Sequence, residues 1–260
     1  MDKDLKKVIM AAQAGGKILK KYFGTRLKIE IKSSPADFRT RADVESERAV
    51  LAVLKKHFPT YNVMAEESGL ADHHSAYQFY VDPLDGSNNY ILGLPYFSVG
   101  LALLYKQTGV LAVCYDPIRN NTYYAKVGKG AYLNGRRITV SKVNKMAVAT
   151  LAYNASYLTP RREFRNFFQH FYQYKFKRMM TNWSVGLDYC LLASGKIDAV
   201  INCGSELYDY LPGKIMALEA GGKITDFSGR QEKDFCQQRF LASNGTALHE
   251  QLLRSLPFKK

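Results

Sequence analysis

Two short acidic segments carry the residues whose types and spacing could do chemistry. Glu66 and Glu67 form the first segment, and Asp82 and Asp85 belong to the second, which reads DPLDGS. A separate aspartate, Asp209, follows a later apolar run. Carboxylates packed together raise one another's pKa or repel, unless a cation is shared between them. Because the whole chain carries a net charge of +14, this concentration of acid predicts a divalent cation site.

The second acidic segment also has the parts of a phosphate site. Pro83 stiffens the turn, and the carbonyl of Leu84 stands between the two aspartates. Gly86 lets the backbone approach a ligand closely, and Ser87 places a hydroxyl at a predicted helix start. With the clustered carboxylates, these residues predict a magnesium-dependent phosphate site.

Each acidic residue also has a structural interpretation. Asp82 and Asp85 could cap a turn, because aspartate is common before proline and glycine. Asp43 and Asp209 could each be the N-cap of a helix. Glu67 could be a surface charge or a helper to its neighbour, and we assign it no metal. The five histidines lie outside every motif, so we interpret them as surface or packing residues.

Alternating helices and strands position these segments. Apolar periodicity predicts helices at 5–22, 43–58, 184–193 and 212–220, the last with Pro212 in its first turn. It predicts strands at 61–65, 78–81, 98–104, 110–115, 122–126, 147–153 and 196–202, with turns at 128–130 and 134–135. Both acidic segments therefore begin where a strand ends, the usual place for ligands in an α/β sheet.

Composition limits the class of protein. The 260 residues, 47% hydrophobic and 23% charged, fit one globular domain over 1–260, with subdomains 1–145 and 146–260 as an alternative. No apolar run is long enough to span a membrane, and the first residues lack the apolar core of a signal peptide. Four widely spaced cysteines form no metal pattern, which predicts reduced thiols in a cytoplasmic protein.

Basic and aromatic residues alternate over 161–178. Such interleaving can mark a nucleic-acid surface. The aromatic residues lie at helical spacing, however, and this favours an amphipathic helix with a solvated basic face. Nucleic acid stays as an alternative partner beside a small phosphorylated metabolite.

The motifs resemble the inositol monophosphatase family, within the lithium-sensitive, magnesium-dependent phosphatases. The similarity runs over nearly the whole chain, in blocks at 32–37, 40–43, 66–68, 82–89, 128–131, 134–135, 184–188, 208–209 and 219–222. Several blocks in the same order and at nearly the same spacing make a chance match very improbable. The resemblance implies an alternating αβαβα sandwich of the sugar-phosphatase type, an α/β fold, and a homodimer.

The resemblance also implies a set of metal ligands. It places one magnesium ion on Glu66, Asp82 and the carbonyl of Leu84. A second ion would lie on Asp82, Asp85 and Asp209, and a third, weaker one on Glu66 and water. Two to three Mg²⁺ ions are therefore expected.

Catalytic and substrate-binding roles follow from the same resemblance. Ser87, paired with Asp43, would help to deprotonate the attacking water, and Glu66 completes the catalytic set. Asp37 would support the third metal without touching it. The implied substrate-binding residues are Asp85, Gly86, Ser87, Ser184 and Asn202.

The chain departs from the family pattern around the alcohol of the substrate. Trp183, the only tryptophan, replaces a glycine, and Met180 replaces an arginine. Asn202 stands where a glutamate commonly holds polyol hydroxyls, and Tyr208 replaces a tryptophan. The pattern implies that the metals and the phosphate are retained while the wall around the alcohol is rebuilt.

The expected activity is hydrolysis of a small polyol or sugar phosphate, most simply inositol 1-phosphate, by direct attack of metal-activated water. Fructose-1,6-bisphosphatase and histidinol-phosphatase activities on the same scaffold are the alternatives within the enzyme class. A hypothesis outside the enzyme class is an interaction protein, because some bacterial relatives in the family associate with the transcription machinery. The basic charge would also suit such an RNA- or transcription-associated interaction protein.

Overall fold

The computed structural model describes residues 2–34, 37–156, 159–232 and 235–257. Pro35 and Ala36, in the first block of family resemblance, lie outside the described residues. The helices are α1 (Lys3–Tyr22), α2 (Arg41–His57), α3 (Ser87–Ile91), α4 (Arg161–Phe171), α5 (Val185–Ala193), α6 (Leu207–Glu219) and α7 (Leu248–Ser255). No described helix is both long and apolar enough to cross a membrane.

Fifteen strands are found among the described residues. They are β1 (Ile29–Ser34), β2 (Asp37–Thr40), β3 (Asn62–Ala65), β4 (Gly69–Ala71), β5 (Tyr77–Asp85), β6 (Ser98–Tyr105), β7 (Thr108–Asp116), β8 (Asn121–Lys126), β9 (Gly130–Leu133), β10 (Arg136–Ile138), β11 (Thr150–Ala155), β12 (Arg178–Met180), β13 (Ala199–Cys203), β14 (Lys223–Thr225) and β15 (Arg239–Ser243). β1 and β2 form a separate antiparallel hairpin.

Two larger sheets contain the remaining strands. The first has the order β10-β9-β8-β7-β6-β5-β3-β4 and is antiparallel except between β3 and β5. The second has the order β12-β11-β13-β15-β14, with β11 parallel to both of its neighbours. The first sheet ends before residue 140 and the second begins after it, so each is built from one half of the chain.

Helices fill the spaces on both sides of each sheet. α1 and α2 pack on one face of the first sheet, around the buried residues Val8, Leu54 and Phe79. α5 and α6 lie between the two sheets, where Tyr189 and Tyr210 are fully buried. α4 and α7 cover the far face of the second sheet. These five layers confirm the predicted αβαβα sandwich.

Two helices begin earlier than the sequence predicted. The N-caps are Thr40 and Glu206, so Asp43 and Asp209 are not N-caps. Each aspartate is instead the third residue of its helix and accepts a hydrogen bond from the amide of the N-cap residue, at 2.8 Å and 3.0 Å respectively. This reciprocal arrangement is a capping box. Pro212 consequently lies inside α6 and not in its first turn.

Two other elements differ in extent. The segment at 161–178 is helical only as far as Phe171, and residues 178–180 form an edge strand. β5 is longer than predicted, because it continues through Asp82 to Asp85 with a shift of register between them. The second acidic segment is therefore an irregular strand end. The four cysteines are free thiols, three of them buried.

Candidate active site

A cavity of about 570 Å³ opens where the two halves of the chain meet. Its wall includes eight of the residues expected from the sequence: Asp37, Glu66, Asp82, Leu84, Asp85, Gly86, Ser87 and Asp209. They come from β2, the end of β3, the end of β5, the start of α3 and the start of α6. A volume of this size suits a small-molecule ligand.

The irregular end of β5 turns Asp82 and Asp85 towards this cavity. The amide of Leu84 donates to Asp82 Oδ1 at 3.0 Å, which holds the turn between the two aspartates. Gly86 follows with φ +95°, in the left-handed region. A Cβ at Gly86 would lie 3.2 Å from the carbonyl oxygen of Trp183, so glycine is required by conformation and by space.

Asp85 is fixed by four donors. Its Oδ1 accepts from the Val185 amide, and its Oδ2 accepts from the Gly186 amide and from the hydroxyls of Ser98 and Ser184. The two amides belong to the start of α5, whose N-terminal dipole favours a negative charge. Asp85 thus joins the first sheet to the second half of the chain.

Four of the carboxylates at the cavity, Glu66, Asp82, Asp85 and Asp209, have raised pKa values. Burial is the main cause for Asp82, Asp85 and Asp209, and the pKa values of Asp82 and Asp209 are raised further by the neighbouring carboxylates. Burial and Glu67 raise the pKa of Glu66 to about 7, against the lowering effect of Lys32. Such a group of charges demands a cation or protons.

The surroundings of these carboxylates fit magnesium. No described residue forms an ion pair with Asp82, Asp85 or Asp209, although Asp82 and Asp85 are buried and Asp209 is half-buried. Oxygen donors of this type are those that Mg²⁺ prefers, and Mg²⁺ usually keeps several of its waters. Within the described ranges, no three acidic, histidine or cysteine side chains are placed so that they could hold a metal ion by themselves. An ion at this wall would therefore need other oxygens as well, such as the Leu84 carbonyl, phosphate and water.

Lys32 of β1 contacts the remaining carboxylate. Its Nζ lies 3.0 Å from Glu66 Oε1 and 2.6 Å from Glu67 Oε1. This ammonium group neutralises part of the charge at the place where the sequence pattern implies the third ion. An ion at Glu66 would have to compete with Lys32.

A hydroxyl and a buried aspartate stand beside the carboxylates. The Ser87 hydroxyl lies 3.4 Å from Asp43 Oδ1 and 3.0 Å from the carbonyl of Leu84. The other Asp43 oxygen accepts from the Thr40 amide and hydroxyl. Burial raises the pKa of Asp43. The sequence-predicted pair is thus brought together, with Asp43 behind Ser87 and outside the cavity wall.

Two predicted substrate-binding residues do not line the cavity. Ser184 is fully buried and donates to Asp85, so it positions that carboxylate. Asn202 is fully buried as well, since its amide donates to the Gln238 carbonyl and its oxygen accepts from Ser205. The structure therefore turns both side chains away from the wall where a substrate would lie.

Other residues of the wall were not predicted. They are Phe38, Asn88, Tyr153, Asn154, Ala155, Ser156, Thr159, Arg161, Phe164, Thr181, Trp183, Val185, Ser205 and Glu206. Five of them lay in segments that the sequence had singled out: Asn88 and Val185 in family blocks, Trp183 as a departure from the family pattern, and Arg161 and Phe164 in the basic and aromatic segment. Most of the others come from the second half of the chain, and their place depends on how the second sheet packs against the first.

Comparison with known proteins gives a consistent result. The sequence model of the inositol monophosphatase family matches residues 1–260. A Pasteurella multocida protein named Nus factor SuhB is 34% identical over 230 residues, covering 85% of this chain and 84% of that protein. A Thermotoga maritima protein named fructose-1,6-bisphosphatase/inositol-1-monophosphatase is 31% identical over 239 residues, covering 92% and 90%.

Solved structures agree with the sequence relatives. The extragenic suppressor protein SuhB of Bartonella henselae has a TM-score of 0.91 at 26% identity, with 100% of both chains covered. The Thermotoga maritima IMPase has a TM-score of 0.88 at 30% identity, covering 98% of this chain and 96% of that one. From its motifs, its fold and these matches, the chain belongs to the inositol monophosphatase family, a family of phosphatases.

Proposed function

We propose that this protein is a Mg²⁺-dependent phosphate monoester hydrolase. The observation that carries the proposal is a group of three carboxylates, the buried Asp82 and Asp85 and the half-buried Asp209, which line one cavity and have no ion-pair partner among the described residues. They lie beside Gly86 and Ser87, whose amides are suited to phosphate oxygens. A buried cluster of negative charge is stable only when cations or protons compensate for it.

The proposed ligand sets follow the wall of the cavity. Glu66, Asp82 and the Leu84 carbonyl would hold one ion, and Asp82, Asp85 and Asp209 a second. A third would also lie at Glu66, and every ion on Glu66 would have to compete with Lys32. When bound, magnesium would lower the pKa of a coordinated water and neutralise charge on the phosphoryl group.

Each residue of the site has its own proposed role in the reaction. Asp43 orients the Ser87 hydroxyl and can accept its proton, so that the Ser87 oxygen can take a proton from the attacking water while Glu66 holds that water in place. Gly86 and Ser87 position the phosphate, and the wall above them receives the alcohol. Water attacks directly, and no nucleophilic side chain is invoked. The proposed substrate is an inositol monophosphate or a related sugar phosphate.

A phosphate-release panel with magnesium tests this proposal. It contains inositol 1-phosphate, fructose 1,6-bisphosphate, histidinol phosphate, glycerol 2-phosphate and adenosine 3′,5′-bisphosphate. Asp85→Asn should abolish release from every substrate. Asp116→Asn is the matched control, because Asp116 is equally buried and hydrogen-bonded but lies outside the cavity. Release that persists in Asp85→Asn, or that needs no divalent ion, would contradict the proposal.

A second candidate function is association with RNA or an acidic transcription partner. It is favoured by the net charge of +14 and by the exposed Arg161, Arg162 and Arg165 of α4. Several relatives also bear the name Nus factor SuhB. Filter retention of RNA should be lost in an Arg162→Ala/Arg165→Ala variant and should weaken as salt rises. Asp85→Asn should leave it intact, and RNA retention without salt dependence would exclude this candidate.

We also propose that the protein is a cytoplasmic homodimer. Free thiols support the compartment. The exposed Leu92 and Leu94, which follow α3, form an apolar patch that a second copy would cover. Sedimentation of the wild type against Leu92→Ser would show whether this patch holds two copies together.

A further inference from the structure

The single tryptophan is exposed at the cavity. Trp183 belongs to the wall and is 56% exposed. Among the described residues, its indole ring contacts no other ring and no cation, and its Nε1 has no hydrogen-bond acceptor. When a ligand covers a large exposed ring of this kind, apolar surface is removed from water, and this favours binding.

The backbone at Trp183 is strained. Its φ is +58°, in the left-handed region that glycine adopts freely and a bulky residue adopts at a cost. The family pattern places a glycine at this position. Backbone strain of this kind persists where the surroundings hold it, and it is concentrated at functional sites.

Buried hydrogen bonds on both sides hold this strained residue. The carbonyl of Asn182 accepts from the Asn89 side chain at 2.7 Å. After Trp183, the Ser184 hydroxyl and the Val185 amide both donate to Asp85. These hydrogen bonds fix the backbone that carries the indole, and two of them link it to Asp85 of the proposed metal site.

Trp183 also lines the same cavity as the proposed phosphate position. Its carbonyl oxygen would lie 3.2 Å from a Cβ at Gly86, so the backbones of the two residues are in contact. Phe164, 44% exposed, belongs to the same wall and packs edge-on against Tyr153 at 5.8 Å between ring centroids. Asn202, the expected partner of polyol hydroxyls, faces elsewhere, so the two exposed rings are the large apolar surface that this wall offers to an alcohol.

We propose that Trp183 is a stacking platform, and that the preferred substrate is a phosphate monoester whose alcohol carries a flat aromatic ring. This inference rests on the proposed phosphatase function and narrows it. With the phosphate at Gly86 and Ser87, the ring of the alcohol lies against the indole face. Stacking of flat rings on aromatic side chains is favourable and tolerates different rings.

Fluorescence tests the platform without catalysis. Because Trp183 is the only tryptophan, quenching of its emission reports on this position alone. Adenosine and histidinol represent a purine and an imidazole, and myo-inositol is the ring without aromatic character. We expect at least one aromatic alcohol to quench the emission and inositol to leave it unchanged. Equal quenching by inositol, or no quenching by any of the three, would overturn the inference.

Kinetics of variants test the same claim on substrates. Trp183→Gly removes the ring and relieves the backbone strain, so this variant should fold. Its KM should rise about tenfold for adenosine 5′-monophosphate or for histidinol phosphate, whichever the fluorescence selects, while glycerol 2-phosphate changes by less than about twofold. Trp183→Phe should restore most of the lost affinity. Tyr172→Ala removes a ring that is 67% exposed but not on the cavity wall, and it should change neither substrate.

The outcomes separate the inference from the function on which it rests. Equal losses on glycerol 2-phosphate and on the aromatic substrate would overturn the platform and leave the phosphatase standing. Quenching by an aromatic alcohol without phosphate release from any monoester would support the platform and remove the phosphatase. Emission that shifts with protein concentration and ignores all three alcohols would place the indole between two copies and overturn the inference.

Discussion

Asp82 is a carboxylate that is only 2% exposed. Among the described residues it accepts one hydrogen bond, from the Leu84 amide, and forms no ion pair. Its pKa is raised well above the usual range by burial and by Glu66, Asp85 and Asp209. At neutral pH the metal-free site therefore opposes folding through repulsion and lost hydration. Function and stability conflict at this residue.

Asp82→Asn tests that conflict. Without divalent ions at pH 8, the variant should be more stable than the wild type by roughly 1–3 kcal/mol in urea unfolding, because one buried charge is gone. Added Mg²⁺ should reverse the order, since a ligand that binds only the folded state stabilises it. Asp116→Asn, which loses its ion pair with Arg119, should be destabilised with and without magnesium. An Asp82→Asn variant that is less stable in both conditions would refute this account.

Ser87 and Asp43 should behave as one unit. Ser87→Ala and Asp43→Asn should each lower kcat by about 10²-fold, and the double variant should lose little more, because both act on the same proton. Ser87→Thr keeps the hydroxyl and should keep most of the activity. Ser228→Ala, in an exposed turn, is the control. Multiplicative losses in the double variant would show that the two side chains act separately.

The identities of the acidic site residues were the most predictable part of the site. Glu66, Asp82, Asp85 and Asp209 follow apolar runs, a local signal that also gives their place at strand and helix ends. The direction of Asn202 was not predictable, because it depends on Gln238 and Ser205 in other loops. Nothing local showed that the start of α4 would face the same cavity.

Among the elements, α5 and α6 fix the relative positions of the proposed ligands. α6 carries Asp209, and the start of α5 donates to Asp85. The two helices touch where Gly213 faces Tyr189, and a Cβ at Gly213 would lie 2.4 Å from that side chain. The helices can approach so closely only because residue 213 has no side chain.

Gly213→Ala should push the two helices apart. We expect a loss of roughly 1–3 kcal/mol in stability from overpacking, together with weaker Mg²⁺ binding in a calorimetric titration. Leu218→Ala, an exposed position on the same helix, should change stability by less than about 0.5 kcal/mol and leave binding intact. If Gly213→Ala is destabilised but binds magnesium as the wild type does, helix spacing does not set the ligand geometry.

α7 is attached through a buried histidine. His249 contacts the hydroxyls of Thr225 and Ser243 at 3.0 Å and 2.8 Å. Burial, together with Lys223, lowers the pKa of His249 to about 4, against the smaller raising effect of Glu250. The histidine pKa in the folded state is thus below its unfolded value of about 6.5.

The pH dependence follows from that order of pKa values. As pH falls from about 6.5 through about 4, the unfolded chain takes up the proton first, so stability declines over this window. His249→Gln should flatten this part of the curve in urea unfolding at a series of pH values, and His74→Gln, an exposed control, should not. An unchanged slope in His249→Gln would show that this histidine is not the titrating group.

Element boundaries were less predictable than element types. The helices that begin at Arg41 and Leu207 were each expected to start later, because aspartate is a common N-cap. In both helices the aspartate is instead the third residue of a capping box, and the N-cap lies three residues before it. The continuation of β5 through Asp85 needs the partner β6, since Asp85 pairs with Ser98. Such pairings join distant parts of the chain and leave little local signal.

At the scale of the whole molecule, the layered fold followed from alternating helices and strands and from the family resemblance. The order of strands in the two sheets did not, because it is decided by long-range pairing. Composition indicated ordinary globular packing, but the net charge by itself does not predict that a strongly basic protein contains an acidic cavity. The net charge of +14 would draw phosphorylated anions towards the molecule, while a cavity lined by six carboxylates, four of them proposed metal ligands, would favour cations.

The cavity is assembled from both halves of the chain, with Asp82 and Asp85 on one side of residue 145 and Asp209 on the other. A truncated translation product or a proteolytic fragment would therefore contain only part of the proposed ligand set. Neither fragment alone would contain the proposed second ion site. Phosphate release that returned only when two separately inactive fragments were mixed would show that the site is completed between them.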